Sequence, residues 1–394
     1  MKKKQIYIFL VAIAFGSAAS AILFGTINNF LSEIYNLNAE GRGVLEFFRE
    51  LPGVLALFIL GLITFLKEKH ILFIALLVIA CGFFGLSFVP SQYRNAVIFI
   101  FIWSIGAHVH MILTHSYAIA LSDISERGKI MGRMGGIRGL GYIVGAGIVW
   151  LGMGRLNLDY SDVYKIAAVF AILGAICYLF LKRKGHTAKK RRRFVFKRKY
   201  FLFYVLAVLF GFRKQIFLVF APWLLVRFYE LPVSRIGLLL FIAAAIGIFV
   251  KPKLGRLIDI LGERNILMMD ACILLIVCIL YGWVPHYFDV AIAIPLLYGL
   301  YVIDDLTFSL RGAHTTYLSK IAHSKNELTA TISLSFAIEH VVSMTGPIFA
   351  GIIWVKFGFS WVFAICGVVA VLMGITASMI PSKKMLNASA SLDV

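Results

Sequence analysis

KRKGHTAKKRRRFVFKRK, residues Lys182 to Lys199, carries eleven lysines and arginines between two apolar stretches. The stretch before it, residues 163–181, reads VYKIAAVFAILGAICYLFL, and the one after it, residues 201–228, reads FLFYVLAVLFGFRKQIFLVFAPWLLVRF. Taken alone, the basic run and the net charge of +20 would suggest a nucleic-acid surface. Its neighbours argue otherwise. A run of roughly 20 apolar residues crosses about 30 Å of hydrocarbon as a helix. Open strands cannot cross, because their backbone groups stay unsatisfied in lipid. A basic loop beside such helices is an anchor at the inner face of a membrane. The whole chain fits that reading: of 394 residues, 61% are hydrophobic and 15% charged, against about 25% charged in soluble domains. The lipid bilayer is the expected partner, and no nucleic acid is expected.

Outward from the linker, apolar length predicts twelve spans: 6–33, 44–66, 71–89, 96–121, 131–152, 163–181, 201–228, 235–254, 266–284, 290–318, 329–355 and 360–380. The plan is an amino-terminal half at 1–181, a linker at 182–200, a carboxy-terminal half at 201–381 and a tail at 382–394. With the amino terminus inside, 27 of the 39 basic residues fall on inner segments. Seven fall on outer ends: Arg42, Arg94, Arg155, Lys165, Arg227, Arg235 and Lys356. That bias follows the positive-inside rule and predicts both termini on the cytoplasmic side. Lys2, Lys3, Lys4 and Ala19-Ser20-Ala21 imitate a secretory signal, but the apolar pattern runs on to Leu31, so the first span is expected to stay. Cys81, Cys177, Cys272, Cys278 and Cys366 lie in apolar runs without CxxC spacing and read as small buried hydrophobes.

Gly255-Arg256-Leu257-Ile258-Asp259-Ile260-Leu261-Gly262-Glu263-Arg264 follows the eighth span. It resembles the loop motif of the major facilitator superfamily, G-x-x-x-D-[RK]-x-G-[RK]-[RK]. Gly255, Asp259, Gly262 and Arg264 match; Ile260 and Glu263 depart. The sister position, Gly61-Leu62-Ile63-Thr64-Phe65-Leu66-Lys67-Glu68-Lys69, keeps the glycine and the basic residues, with Phe65 where the acid belongs. The resemblance implies an all-α membrane protein of twelve transmembrane helices in two pseudo-symmetric six-helix halves, working by alternating access, with the first, fourth, seventh and tenth helices lining a cavity. Inverted or parallel repeats of this kind hold their sites near the midplane. Gly255, Asp259, Gly262 and Arg264 would then be gating or loop-latching residues.

Five basic residues are left after the inner segments and outer ends are assigned, and these lie within spans: Arg49, Arg138, Arg213, Lys214 and Arg311. Each costs about 2.5–3.5 kcal/mol at mid-membrane on insertion scales, so together they predict a polar cavity. Candidate cavity residues are Asn28 and Asn29 in the first helix, His108 and His115 in the fourth, Arg138 in the fifth, Arg213 and Lys214 in the seventh, and Arg311 and His314 in the tenth. His108 and His115, and likewise Asp304 and Arg311, are seven apart and share a helix face. Asp304, Asp305 and Glu339 are candidate proton-coupling residues, because burial and a neighbouring cation act oppositely on a carboxyl group. Asp304 is expected to exchange a proton with Arg311 as its alternating partner. Glu46, Arg49 and Glu50 form a local ion cluster or an outer gate, with Glu46 reaching the other two at helical spacing. His108, His110 and His115 do not place three rings on one face, and no metal site or cofactor is expected. Gly135/Gly139 and Gly141/Gly145 are GxxxG spacings for close helix approach, matched by Gly346-Pro347 to Gly351 in the eleventh helix.

No HExxH, GxSxG or phosphate loop is present, so an enzyme is not expected. A receptor would need an output module, for which the tail after Pro381 is too short. The reading is a monomeric secondary transporter in a bacterial cytoplasmic membrane, moving a small polar or charged solute, coupled to protons. The alternative is a drug or lipid exporter of the same fold, against which the embedded cations count. Substrate and direction of transport do not follow from these residues.

Overall fold

The computed structural model describes residues 2–62, 66–122, 126–182 and 196–382. Most of the basic linker, and Ile63, Thr64 and Phe65 of the sister loop, lie outside them. Among the described residues, twelve helical rods follow one another: α1 (Lys2–Tyr35), α2 (Ala39–Leu62), α3 (Glu68–Ser87), α4 (Tyr93–Leu121), α5 (Arg127–Gly147, extended through a π-type turn, Ile148–Gly152, to Arg155) and α6 (Tyr160–Leu179). After the linker come α7 (Phe201–Gln215, a π-type turn at Ile216–Phe220, then Ala221–Arg227), α8 (Val233–Leu261), α9 (Glu263–Tyr287), α10 (Val290–Thr307, a 3₁₀ turn at Phe308–Arg311, then Gly312–Ile321), α11 (Lys325–Phe357) and α12 (Phe359–Ser378). Eleven of the twelve are long and apolar enough to cross a membrane. The other, α2, carries Glu40, Arg42, Glu46, Arg49 and Glu50 in its first half. Large apolar side chains such as Phe249 (73% exposed) and Trp283 (63% exposed) are open on the surface, as befits helices whose solvent is lipid.

Two compact units hold these helices. The first comprises Met1–Leu37, Phe48–Lys190 and Glu230–Ile248; the second comprises Asn38–Phe47, Arg191–Tyr229 and Phe249–Val394. In the first unit, glycines set the helix spacing. A Cβ at Gly141 would run into the carbonyl oxygen of Ala14, and one at Gly145 into that of Ala18. Both pairs are four apart, so one stripe of α5 lies flush against one stripe of α1. Gly139 and Gly147 face the other way, toward Ile248 and Phe241 of α8. In the second unit Gly43 and Gly351 do the same for α2 against α11, at Pro347 and Ala39.

Two connections in the second unit are single residues. Gly262 (φ 79°, ψ 163°) joins α8 to α9, and Gly358 (φ 93°, ψ 165°) joins α11 to α12. That backbone region belongs to glycine, since a Cβ would clash with the flanking carbonyls. Gly262 is thus needed for the turn it makes. Glu263, which departs from the motif, is buried at the start of α9 and takes Lys320 of α10 at 2.7 Å. Elsewhere, polar caps end the helices: Asp159 and Asp162 form a reciprocal box at the start of α6, and Ser324 caps α11 by accepting from the Glu327 N–H at 3.2 Å.

Candidate functional site

The densest buried charge in the second unit is built on α7. Arg213, fully buried, lies three residues before the π-type turn at Ile216–Phe220. Its guanidinium divides between two helices. Nε and Nη2 donate to Asp304 Oδ1 of α10 at 3.3 and 2.9 Å, and Nη1 donates to Asp270 Oδ2 of α9 at 2.5 Å. Nη2 also donates to the Thr307 hydroxyl at 3.1 Å, and that hydroxyl donates to the Asp304 carbonyl at 3.2 Å. Guanidinium geometry suits this, with five donors in a plane and a charge that is never given up. Gly211 brings the neighbouring helix in: a Cβ there would lie 3.0 Å from the Glu339 carbonyl oxygen of α11. Gln215 Nε2 donates to the Ser343 carbonyl of α11 at 3.1 Å.

Arg311 does not partner Asp304. It pairs with Glu339 of α11, whose other oxygen accepts from Ser335 at 3.4 Å. The shared-stripe expectation assumes 100° per residue throughout. The 3₁₀ turn at Phe308–Arg311 advances 120° per residue, and over four residues rotates Arg311 by about 80° away from the Asp304 face. The Phe308 ring lies 5.7 Å from the guanidinium carbon of Arg213 and 5.7 Å from that of Arg311, so one ring faces two cations. Asp305, one residue on from Asp304, takes a different neighbour, Lys251 of α8, at 2.8 Å. His314 is buried, donates Nε2–H to the Phe203 carbonyl at 2.8 Å and stacks on the Phe203 ring at 3.9 Å. It ties α10 to α7. Lys214 is half-buried on α7.

Of the gating candidates, Glu46 pairs with Arg42 at 2.5 Å, both buried. Arg49 pairs with Glu50 at 2.8 Å and faces the Phe24 ring at 5.8 Å. In the eighth-helix motif, Gly255 and Asp259 are exposed, Gly262 makes the turn, and Arg264 is half-buried.

In the first unit the polar candidates form separate local sets. His108 Nδ1 meets the Ser104 hydroxyl at 3.0 Å, and that hydroxyl donates to the Arg49 carbonyl. His115, one stripe further along α4 and exposed, meets Arg138 of α5 at 3.4 Å; Arg138 also donates to Thr114 at 3.1 Å. His110 points elsewhere, to Tyr178 at 2.7 Å. Asn28 and Asn29 are buried, and the Asn29 amide donates to Glu33 at 3.0 Å and to the Leu231 carbonyl at 2.8 Å.

Asp270 is a member of this buried ion cluster that sequence reasoning did not name. α9 is not one of the helices that the family resemblance assigns to a cavity. The signal was there: a carboxylate set in NILMMDACILL, the same anomaly that singled out Asp304. A cavity of about 420 Å³ between α9 and α12, lined by Leu275, Cys278, Trp283, Trp361 and Phe363 among others, is a poorer candidate. It lacks the convergent polar groups that orient a polar ligand.

A family model described as Major Facilitator Superfamily matches residues 8–323. Among solved structures, the chain is similar to a variant of the nucleoside transporter NupG, with 14% identity, a TM-score of 0.78, and 95% of this chain and 99% of that one covered. Unsubstituted NupG matches at 15% identity and TM-score 0.73, covering 95% and 98%. A bacterial homologue of the human lysosomal transporter Spinster matches at 12% identity and TM-score 0.69, covering 100% and 98%. At such identities the likeness is one of fold. No curated protein matches the sequence closely enough to count as a relative. Twelve helices in two halves, membrane-length apolar rods and the family match over most of the chain agree: this is an integral membrane protein of the Major Facilitator Superfamily, a family of transporters and not of enzymes.

Proposed function

We propose that the chain is a proton-coupled secondary transporter of a small polar or charged solute, working by alternating access. The observation that supports it best is the Arg213–Asp304 ion pair, with Asp304 the member that keeps some exposure, 7%. Ionisable groups inside a span are costly, and their usual use is in substrate or proton pathways. Asp304 is the proton-exchanging carboxylate, with Arg213 in the partner role and Arg311 engaged by Glu339. Asp305 and Glu339 are secondary candidates. The remaining polar residues of α1, α4, α5, α7 and α10 named above are substrate-contact candidates. A drug or lipid exporter would have little use for so many buried cations.

The protein is read as a monomer in a bacterial cytoplasmic membrane, with both termini and the linker on the inner side. A cysteine at Thr187 should react with impermeant reagents only from inside. The functional test is uptake into proteoliposomes with and without a pH gradient, over a panel of solutes that includes nucleosides, since NupG is a nucleoside transporter. Gradient-driven accumulation should vanish in Asp304→Asn while solute exchange persists. Unchanged accumulation and pH dependence in Asp304→Asn would refute proton coupling at this residue.

A further inference from the structure

Arg213 faces more negative charge than it can balance. Two carboxylates, Asp270 and Asp304, share one guanidinium; fully ionised, the set carries one surplus negative charge. Neighbouring groups on α10 and α11 have partners of their own. Asp305 has Lys251, Glu339 has Arg311, and His314 is held through its N–H by a carbonyl. The other titratable side chains of α9 and α12 nearby, Cys278, Tyr281 and Cys366, are buried and add no positive charge. An unbalanced ion in a dry interior costs several kcal/mol, and a bound proton removes that cost.

A second observation points to the same place. Asp270 is 0% exposed, and its Oδ1 has no hydrogen-bond partner among the described residues. An ionised carboxylate oxygen left bare is among the costlier arrangements in a core.

We propose that Asp270 and Asp304 hold one exchangeable proton between them over Arg213, so that Asp270 is the second half of the protonation site. This rests on reading Asp304 as proton-exchanging, and extends it. The proton belongs to the pair rather than to either residue. Asp304, whose side chain is 10% exposed, is the port; Asp270, with no exposure, is the store. In the exchange an O–H bond on one carboxyl breaks as one on the other forms. Arg213 stays protonated throughout. A single neutralisation at either carboxylate leaves one negative charge facing one guanidinium, so each single variant should fold; the double variant Asp270→Asn/Asp304→Asn strands Arg213 and should lose folded yield.

The test is infrared difference spectroscopy of the full-length protein in liposomes, titrated with pH in H₂O and in ²H₂O. The wild type should show a buried protonated carboxyl band that shifts in ²H₂O. The band should disappear in Asp270→Asn and in Asp304→Asn, and persist in Asp305→Asn and Glu339→Gln. Should Asp270→Asn fail to fold, Asp270→Glu keeps the acid and should displace the band. A wild-type band in Asp270→Asn, or an unmoved one in Asp270→Glu, overturns the shared proton and leaves Asp304 alone as the site. A band that survives Asp304→Asn overturns the reading of Asp304 as well. No band at all, with thermal stability raised by sodium ions, would mean that a metal cation balances the charge, and would overturn the proposal.

Discussion

Gly145→Ala adds one methyl group at the closest approach of α1 and α5. The new Cβ would lie 2.8 Å from the Ala21 Cβ and 3.0 Å from the Ala18 carbonyl carbon, with the Ala18 oxygen nearer still. Carbon atoms pack best at about 3.5–4.0 Å, so the two helices must part by roughly 1 Å. The near neighbours are backbone, which cannot swing aside as a long side chain would. Overpacking of this sort costs about 1–3 kcal/mol, or roughly 2–10 °C of melting temperature for a unit of this size. Gly135 and Gly136 are the internal controls. They lie on the same helix with nothing within 4 Å of an added Cβ, so alanine there gains about 0.8–1.0 kcal/mol of helix propensity. The two substitutions should therefore move stability in opposite directions. Thermal unfolding in detergent, followed by the fluorescence of buried Trp103 in the same unit, measures both. Equal shifts for Gly145→Ala and Gly135→Ala would refute the packing account of the α1–α5 stripe.

Gly262→Ala forces a Cβ into a backbone region that only glycine adopts without strain and should cost about 1–3 kcal/mol, read as a lower melting temperature; Gly358→Ala should behave alike. Lys320→Met leaves buried Glu263 without its cation and should cost about 3–5 kcal/mol; the exchanged pair Lys320→Glu with Glu263→Lys should recover part of it, as a double-mutant cycle would show. Gly211→Val pushes the Glu339 backbone away from α7 and should lower the melting temperature by the equivalent of about 1–3 kcal/mol, with proteoliposome uptake falling alongside.

What could be read in the chain beforehand follows from what the bilayer enforces. Hydrocarbon thickness fixes span length, so 96–121 and 290–318 foreshadow α4 and α10 to within a few residues at each end. The basic run at Lys182 to Lys199 falls between the sixth and seventh of the helices. Local backbone choices were less legible. Nothing in Phe308-Ser309-Leu310-Arg311 announces a 3₁₀ turn, and with that turn in place Arg311 meets Glu339. The ion cluster was half visible. Asp304 and Arg213 stood out as charges in apolar runs, but which carboxylate meets which cation depends on helix rotation, which periodicity does not supply. Asp270 shows the complementary weakness: a preference for certain helices hid a residue that the charge anomaly alone would have flagged. The departure at Glu263 reads as a defect in the motif until Lys320 is placed opposite it.

Gly262 also has a practical use. With one residue between the end of α8 and the start of α9, those two ends have no slack and must keep a constant spacing. Spin labels at exposed Ile260 and Asn265 would report that spacing as a built-in ruler. Any distance that changes elsewhere when solute or pH is varied could be calibrated against it within the same sample.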